Sequence, residues 1–298
     1  MKKIKVCVIG CVLMSKDLFL SLNKISNLEI VGVITKKKSN YHSDFYSLKS
    51  DADQIGAKVF LSQGKENEKM INFVKNIKAD LGFCIGWSHL FSKKFIKLFN
   101  QGIIGFHPSK LPLNKGKHPI IWALFLGLKE TASSFFLIDS GVDTGVILSQ
   151  NTIKITRKDD ATSLYKKISK SASKQILNFV PRYLSKKIKV KNISKEKGNM
   201  WRKRSVLDGR IDWRMSYIAI ENLVKALQFP YPGAYCNYSG NNYKVSKIIA
   251  GKKTKKNIEP GKVIKVINGI IHVQCWDRTL CIVEHSFSKV PKKGEYLL

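Results

Sequence analysis

The stretch Gly102-Ile103-Ile104-Gly105-Phe106-His107-Pro108-Ser109-Lys110-Leu111-Pro112 reads as a short buried strand that ends on a histidine and leaves through a proline-bounded loop. Upstream, Ile4–Ile9, Leu28–Ile34, Ala57–Leu61 and Leu81–Gly86 are further short apolar runs rich in β-branched residues. Continuous apolar runs of that length fit strands covered on both faces. Between them, Met70, Phe73, Val74 and Ile77 fall at helical spacing within Glu68–Ile77. Strands alternating with helices imply right-handed crossovers and a mostly parallel, doubly wound α/β sheet. Ser133–Ile138 and Val146–Ile155 extend the strand set. Asp159 and Asp160 then open a helix whose apolar stride is Leu164, Ile168, Ala172, Ile176 and Val180.

Downstream of residue 182 the texture changes. Lys186–Lys197 is a basic crossing, and a helix carrying Ile220, Leu223, Val224 and Leu227 stops before Phe229-Pro230-Tyr231-Pro232-Gly233. Ala234–Tyr238, Tyr243–Ile249, Lys262–Ile267, Ile270–Cys275 and Thr279–Val283 are short strands separated by turns such as Asn268-Gly269. Five such strands predict a smaller, β-rich C-terminal domain of oligonucleotide-binding (OB) type. The expected division is a catalytic domain over 1–190, a linker over 191–204 and the β-barrel-like domain over 205–298.

The chain has 298 residues and a formal net charge of +32. Taken as a total, that charge points to nucleic acid. Its make-up points elsewhere, since only 7 of the 53 basic residues are Arg. Guanidinium forks dominate specific phosphate and base recognition, so a Lys-heavy surface reads as solvation. The first 150 residues hold no Arg, and Arg202, Arg204, Arg210 and Arg214 cluster at the expected domain junction. A local pair of forks suits one pyrophosphate better than a tracked nucleic acid. The alternative is that Arg210 and Arg214 pair with Asp208 and Asp212 and hold the junction together. The longest apolar stretch, Val6 to Met14, is far short of a bilayer span, and the start lacks a cleavage site of signal type. A cytoplasmic protein with no membrane contact is expected. Its six cysteines include no C-x-x-C pair and read as reduced core thiols, with no metal site.

No G-x-G-x-x-G or phosphate loop follows the first strand. Chemistry is instead expected where His107 ends its strand and where Asp139-Ser140-Gly141-Val142-Asp143-Thr144-Gly145 leaves another, because ligands of open α/β sheets bind beyond the carboxyl ends of strands. A histidine beside a carboxylate is a minimal set for moving one proton near neutral pH. The plainer alternative is a histidine closing a loop and an aspartate in a turn.

The wider pattern resembles the formyltransferases that use 10-formyltetrahydrofolate. It comprises His107-x-Ser109-x-Leu111-Pro112, Lys115-Gly116-x-x-Pro119, Trp122-Ala123-Leu124, Gly127, Thr131 and Asp139-x-Gly141-x-Asp143-x-Gly145. It continues through Arg204-x-x-x-Asp208-Gly209-x-Ile211-Asp212-Trp213 and Pro230-Tyr231-Pro232-Gly233-Ala234, so it covers nearly the whole chain. The resemblance implies a catalytic trio of Asn, His and Asp. His107 and Asp143 match the second and third members, while Gly105 stands where the family has Asn. In the family that amide helps to hold an oxyanion, and losing one such donor costs about two to three orders of magnitude in rate. Protonated His107, the backbone at Gly105, Ser109 and Asn114 are the candidate substitutes.

By the same resemblance, His107 takes a proton from the acceptor amine and Asp143 orients the ring and stabilises its charged form. The folate, released as tetrahydrofolate, would lie against Gly86, Trp87, Ser88 and Leu90, against Ser109, Lys110, Leu111 and Pro112, and against Ile138, Asp139, Ser140, Gly141 and Val142. Lys117 would meet its anionic part. Gly86-Trp87-Ser88, Trp201–Arg204, Asp208–Trp213 and Pro230–Ala234 look like the sugar-acting branch, which includes the bacterial enzyme that formylates UDP-4-amino-arabinose. The expected acceptor is therefore a dTDP- or UDP-4-amino-4,6-dideoxy sugar for surface polysaccharide (O-antigen) synthesis, and a homodimer is expected. Asn40, Tyr41, His42, Asn114, Trp201, Arg202 and Arg204 are the candidate acceptor contacts. Methionine on initiator tRNA is the alternative acceptor, and a binding protein that has lost catalysis is a third reading.

Overall fold

A computed structural model of the chain describes residues 3–39, 43–193, 197–253 and 257–298. The elements in order are β1 (Ile4–Gly10), α1 (Leu13–Leu22), β2 (Leu28–Thr35), α2 (Lys49–Gln54), β3 (Lys58–Leu61), α3 (Glu68–Ile77), β4 (Leu81–Ile85), α4 (Lys93–Ile96), β5 (Ile103–His107), β6 (Lys115–Gly116) and α5 (Pro119–Phe125). They continue with β7 (Glu130–Leu137), β8 (Ile147–Lys154), α6 (Ala161–Leu184), β9 (Met200–Trp201), α7 (Tyr217–Ala226), β10 (Ala234–Tyr238), β11 (Asn241–Lys253), β12 (Val263–Ile267), β13 (Ile270–Gln274) and β14 (Arg278–His285).

The seven-stranded sheet has the order β3-β2-β1-β4-β5-β7-β8. β1 pairs in parallel with β2 on one side and β4 on the other. Val6, Cys7, Val8 and Ile9 are wholly buried, which is why this run carries no polar alternation. Burying each such aliphatic side chain contributes roughly 1.5–3 kcal/mol. β5 pairs in parallel with β4, whereas β7 and β8 run antiparallel. The strand order reverses between β1 and β4, so the carboxyl ends of β1, β4 and β5 border the crevice where open α/β sheets take ligands. α3 shows local signals agreeing with tertiary need. The Asn67 side chain caps it by accepting from the Met70 N–H at 2.9 Å. Met70, Ile71, Val74 and Ile77 are the buried residues of the helix.

The chain forms two compact units. The first comprises 1–119, 130–154 and 166–201, and the second comprises 120–129, 155–165 and 202–298. Two segments that a simple cut near residue 190 assigns to the first domain thus make their contacts within the second. The second unit contains a five-stranded antiparallel sheet of order β10-β11-β14-β13-β12, with α7 against β11. Its outer strands are bridged by the C-terminal tail. The Leu298 N–H donates to the Asn237 carbonyl on β10 at 2.8 Å, and Val263 on β12 donates to the Glu295 carbonyl at 2.8 Å. All six cysteines are buried and free. Among the described residues no helix is long and apolar enough to cross a membrane, and no His/Cys/Asp/Glu group could hold a metal ion.

Candidate active site

β5 delivers His107 to the crevice edge. Its side chain is 7% exposed, and Nδ1 lies 3.6 Å from Asp143 Oδ2. That distance suits an ion pair but is too long for a hydrogen bond. The ring is held from its other side, where Nε2 lies 2.9 Å from the Asn114 carbonyl oxygen. A carbonyl only accepts, so Nε2 is the donor in that contact, and a neutral ring then has its lone pair on Nδ1, on the side of Asp143. Asp143 is anchored in turn, since Oδ2 accepts from the Gly116 N–H at 2.9 Å.

This constellation stands on unusual backbone. Asn114 (φ 63°), His118 (φ 57°) and Asp143 (φ 52°) all adopt left-handed conformations. Non-glycine residues pay for that geometry, and clusters of them mark sites over-determined by their surroundings. Gly116 is required by close approach, because a Cβ there would lie 2.4 Å from the Trp201 carbonyl oxygen.

Gly105 precedes His107 by two residues on β5 and pairs with Cys84 on one side and Phe136 on the other. A Cβ at 105 would lie 2.8 Å from Phe136 Cζ and 2.9 Å from Ile138 Cγ1. The room an asparagine side chain would need is therefore filled. Burial pushes the Cys84 thiol far above its usual range and the Cys11 thiol up to about 11, so neither offers a thiolate here.

The candidate oxyanion donors fare differently. Ser109 is fully buried, and its hydroxyl is already given to the Leu113 carbonyl at 3.1 Å. Asn114 contributes its main chain, to His107. In the rest of that loop, Lys110 pairs with Glu130, Leu111 is buried and its carbonyl accepts from Gln150 at 3.0 Å, and Pro112 packs against Gly198.

Beyond β4, Gly86 turns the chain with φ 65°. Trp87 lies under the Lys36 ammonium, 5.3 Å from the ring centroid, and edge-on to His89 at 6.3 Å. Its indole N–H is buried without a partner among the described residues. Lys117 donates to the Ser88 carbonyl at 2.9 Å, and Leu90 is 60% exposed. Burial, with Lys36, Lys117 and Lys65 nearby, holds His89 below the usual histidine range. In the facing loop, the Ile138 N–H donates to the Ile103 carbonyl at 2.8 Å. Asp139 Oδ1 accepts from the Gly141 N–H at 2.9 Å and the Thr144 hydroxyl at 2.7 Å, while Ser140 is exposed and Val142 half-buried.

The candidate acceptor contacts separate into three groups. Asn40, Tyr41 and His42 lie outside the described residues. Trp201 is half-buried on β9, where its carbonyl accepts from the Lys117 N–H at 3.1 Å. Both terminal nitrogens of Arg202 are engaged by the Asp208 carboxylate. Arg204 is buried, its guanidinium 4.8 Å from the Trp122 ring centre and 5.3 Å from that of Phe125, and it donates to the Asp208 carbonyl. Arg214 pairs with Asp212 at 2.7 Å. The partner of Asp208 is thus Arg202 rather than Arg210, because residues 205–208 turn the carboxylate back onto the chain just before them.

Sequence reasoning missed the two main-chain groups that hold the pair, the Asn114 carbonyl and the Gly116 N–H. Main-chain groups carry no residue-type signal, and only the Asn-Lys-Gly spacing hinted at a turn.

With this geometry in view, the class follows. Residues 2–180 match the formyl transferase family model and 204–295 match the formyl transferase C-terminal domain. The chain belongs to the formyl transferase family. It is 32% identical over 250 residues to the bifunctional polymyxin resistance protein ArnA of Wigglesworthia glossinidia brevipalpis, covering 82% of this chain and 37% of that protein. It is 29% identical over 257 residues to a methionyl-tRNA formyltransferase of Caldanaerobacter subterraneus subsp. tengcongensis, covering 85% and 82%. Among solved structures, WlaRD, a sugar 3N-formyl transferase crystallised with dTDP and 5-N-formyl-THF, matches with a TM-score of 0.66 at 19% identity, covering 94% of this chain and 97% of that one.

Proposed function

We propose that this chain transfers a formyl group from 10-formyltetrahydrofolate to the amine of a nucleotide-linked amino sugar. The observation that carries the proposal is the His107–Asp143 pair, 3.6 Å apart at the carboxyl edge of a doubly wound sheet, with Nδ1 left to accept a proton. The loops around it suit a folate. Leu90 offers exposed apolar surface, the buried Trp87 N–H lacks a partner among the described residues, and loops 86–90 and 138–142 present main chain. Gly86, Trp87, Ser88, Leu90, Ile138, Asp139, Ser140, Gly141 and Val142 would hold the ring, with Lys117 toward its anionic part. When bound, the folate supplies an activated formyl carbon and a nitrogen leaving group.

The chain's own residues handle the proton. His107 Nδ1 takes the proton that the acceptor amine sheds as its bond to the formyl carbon forms, and returns it to the departing nitrogen as the old bond to that carbon breaks. The Asp143 carboxylate stabilises the resulting imidazolium across 3.6 Å. The Asn114 carbonyl fixes the ring's orientation through Nε2–H, so holding the ring and stabilising its charge fall to different groups. With no side chain at Gly105 and the Ser109 hydroxyl committed, the hydrogen that His107 acquires on Nδ1 is the donor proposed for charge developing on the formyl oxygen, the Nε2–H remaining on the Asn114 carbonyl.

Two observations support the sugar acceptor. The motifs at Trp201–Arg204, Asp208–Trp213 and Pro230–Ala234 resemble the sugar-acting branch, and the fold match to a sugar 3N-formyl transferase runs over 97% of that chain. In this reading the protein works in the cytoplasm as a homodimer and feeds surface polysaccharide synthesis. Methionyl-tRNA is the second acceptor, favoured by the net charge of +32 and by 29% identity to a methionyl-tRNA formyltransferase. A steady-state panel of dTDP- and UDP-amino sugars against methionyl-tRNA, all with 10-formyltetrahydrofolate, separates the two. Turnover of a nucleotide sugar is expected. Turnover of methionyl-tRNA alone refutes the proposed acceptor.

A further inference from the structure

The loop that holds His107 and Asp143 does not hold itself. Residues 114–117 are clamped by a distant segment, 198–201, which lies just before the chain enters its second unit. Asn199 makes two of the contacts. Its side-chain Oδ1 accepts from the Asn114 N–H at 2.8 Å, and its carbonyl accepts from the Lys115 N–H at 3.1 Å. β6 then runs parallel to β9, with Lys115 opposite Met200 and Gly116 opposite Trp201, and the Lys117 N–H closes on the Trp201 carbonyl at 3.1 Å. At the other end, a Cβ on Gly198 would sit 2.1 Å from the Pro112 carbonyl oxygen, so the segment is pressed against the loop.

The register of this clamp matters to the chemistry. Residue 114 is gripped on both sides: its N–H by Asn199 and its carbonyl by His107 Nε2. The left-handed backbone of Asn114, φ 63°, is a conformation that needs outside support. Two residues on, Gly116 delivers the N–H that holds Asp143. One strand pairing therefore sets the partner of each member of the pair.

We propose that Asn199 is a positioning residue: by fixing the backbone angles of Asn114 it fixes which nitrogen of His107 carries the hydrogen. This rests on the proposed proton transfer at Nδ1. If the Asn199 side chain releases the Asn114 N–H, the left-handed φ of residue 114 loses its outside support, even though the Lys115 N–H stays on the Asn199 carbonyl. The Asn114 carbonyl then shifts from Nε2, and the ring gains population of the tautomer with its hydrogen on Nδ1. That form has no lone pair facing Asp143 and cannot accept a proton there. The hydroxyl and amide networks of the rest of the loop do not substitute, because Ser109 and Gln150 bond to Leu113 and Leu111, upstream of residue 114.

The test uses the full-length protein and the variants Asn199→Ala and Asn199→Asp. Asparagine and aspartate both present an acceptor oxygen to the Asn114 N–H, whereas alanine does not. Asn199→Ala is expected to lower kcat about tenfold, the scale of one hydrogen bond, with KM for both substrates little changed. Asn199→Asp is expected to restore most of that loss. Imidazole ¹⁵N NMR supplies a readout independent of activity. Wild-type His107 should show the pattern of an Nε2–H ring, and Asn199→Ala a mixture of the two tautomers. An unchanged ¹⁵N pattern in Asn199→Ala overturns the proposal, whatever happens to kcat. So does an Asp variant as impaired as the Ala variant. A wild-type protein that transfers no formyl group refutes the proposed function instead, and the ¹⁵N comparison still decides the role of Asn199.

Discussion

Two regions of this molecule are dense in charge and hydrogen-bonding groups, and they differ in what is left over. Between residues 202 and 214, the Arg202 fork closes on Asp208, Arg204 lies over two rings and is bonded to a carbonyl, and Arg214 closes on Asp212. At the end of β5, by contrast, His107 has one nitrogen satisfied and the other facing a carboxylate at 3.6 Å, and three non-glycine residues nearby are left-handed. The first region spends its polar groups on itself, as structural ion pairs do. In the second, Nδ1 of His107 is the atom that the proposed proton transfer uses. Density of charge along a sequence does not distinguish the two, whereas the balance of donors and acceptors does.

The comparison breaks first at His107. His107→Ala is expected to lower kcat/KM for formyl transfer about a thousandfold, the range of general acid–base catalysis, with a near-normal melting temperature. A loss below tenfold would put this region on the same footing as the arginine cluster. Asp143→Asn removes the carboxylate but keeps an acceptor for the Gly116 N–H. It is expected to lower kcat about a hundredfold, read in the same assay. Gly105→Asn tests whether the family residue can simply be put back. With Phe136 and Ile138 in its way, the substitution should cost about 1–3 kcal/mol of stability by overpacking, and raise kcat/KM not at all. Denaturant unfolding and kinetics together read that outcome.

The smallest expected effect is in the arginine cluster. Arg202 holds the Asp208 carboxyl well below the usual carboxylate range, aided by the Ser205 N–H and hydroxyl. A carboxyl whose folded pKa is depressed contributes stability above its unfolded pKa of about 4, and loses it as the pH falls through the folded value. Arg202→Ala should therefore lower the melting temperature slightly at pH 7. The difference from wild type should shrink as the buffer is taken below pH 4. A difference that grows on acidification would show that the pair does not stabilise the fold.

Much of the architecture is legible in the sequence because burial on both faces leaves continuous apolar runs. β1, β4 and β5 read directly as strands, and so did α3, whose stride and Asn67 cap agree. Elements defined by main-chain pairing left no such trace. β6 and β9 are two residues each, and the tail that bridges β10 and β12 has no strand pattern. The assignment of 120–129 and 155–165 to the second unit is likewise a matter of tertiary contact. At the site, His107 and Asp143 were visible as polar residues where apolar strands end, sharpened by the family pattern. Asn114 was visible as a side chain, yet the structure uses its carbonyl. Arg202 and Arg204 stood out by type, but the partner that engages both, Asp208, lies only a few residues away.

In the proposed reaction His107 moves the proton as a formyl group passes to a sugar amine. Single-turnover reaction of the protein with 10-formyltetrahydrofolate and a dTDP-4-amino-4,6-dideoxy sugar tests it most directly, with tetrahydrofolate and formylated sugar quantified together. One tetrahydrofolate should appear per formamide formed, only when the amino sugar is present, and about a thousandfold more slowly in His107→Ala. Tetrahydrofolate released without sugar, or formylation that proceeds undiminished in His107→Ala, would contradict the account.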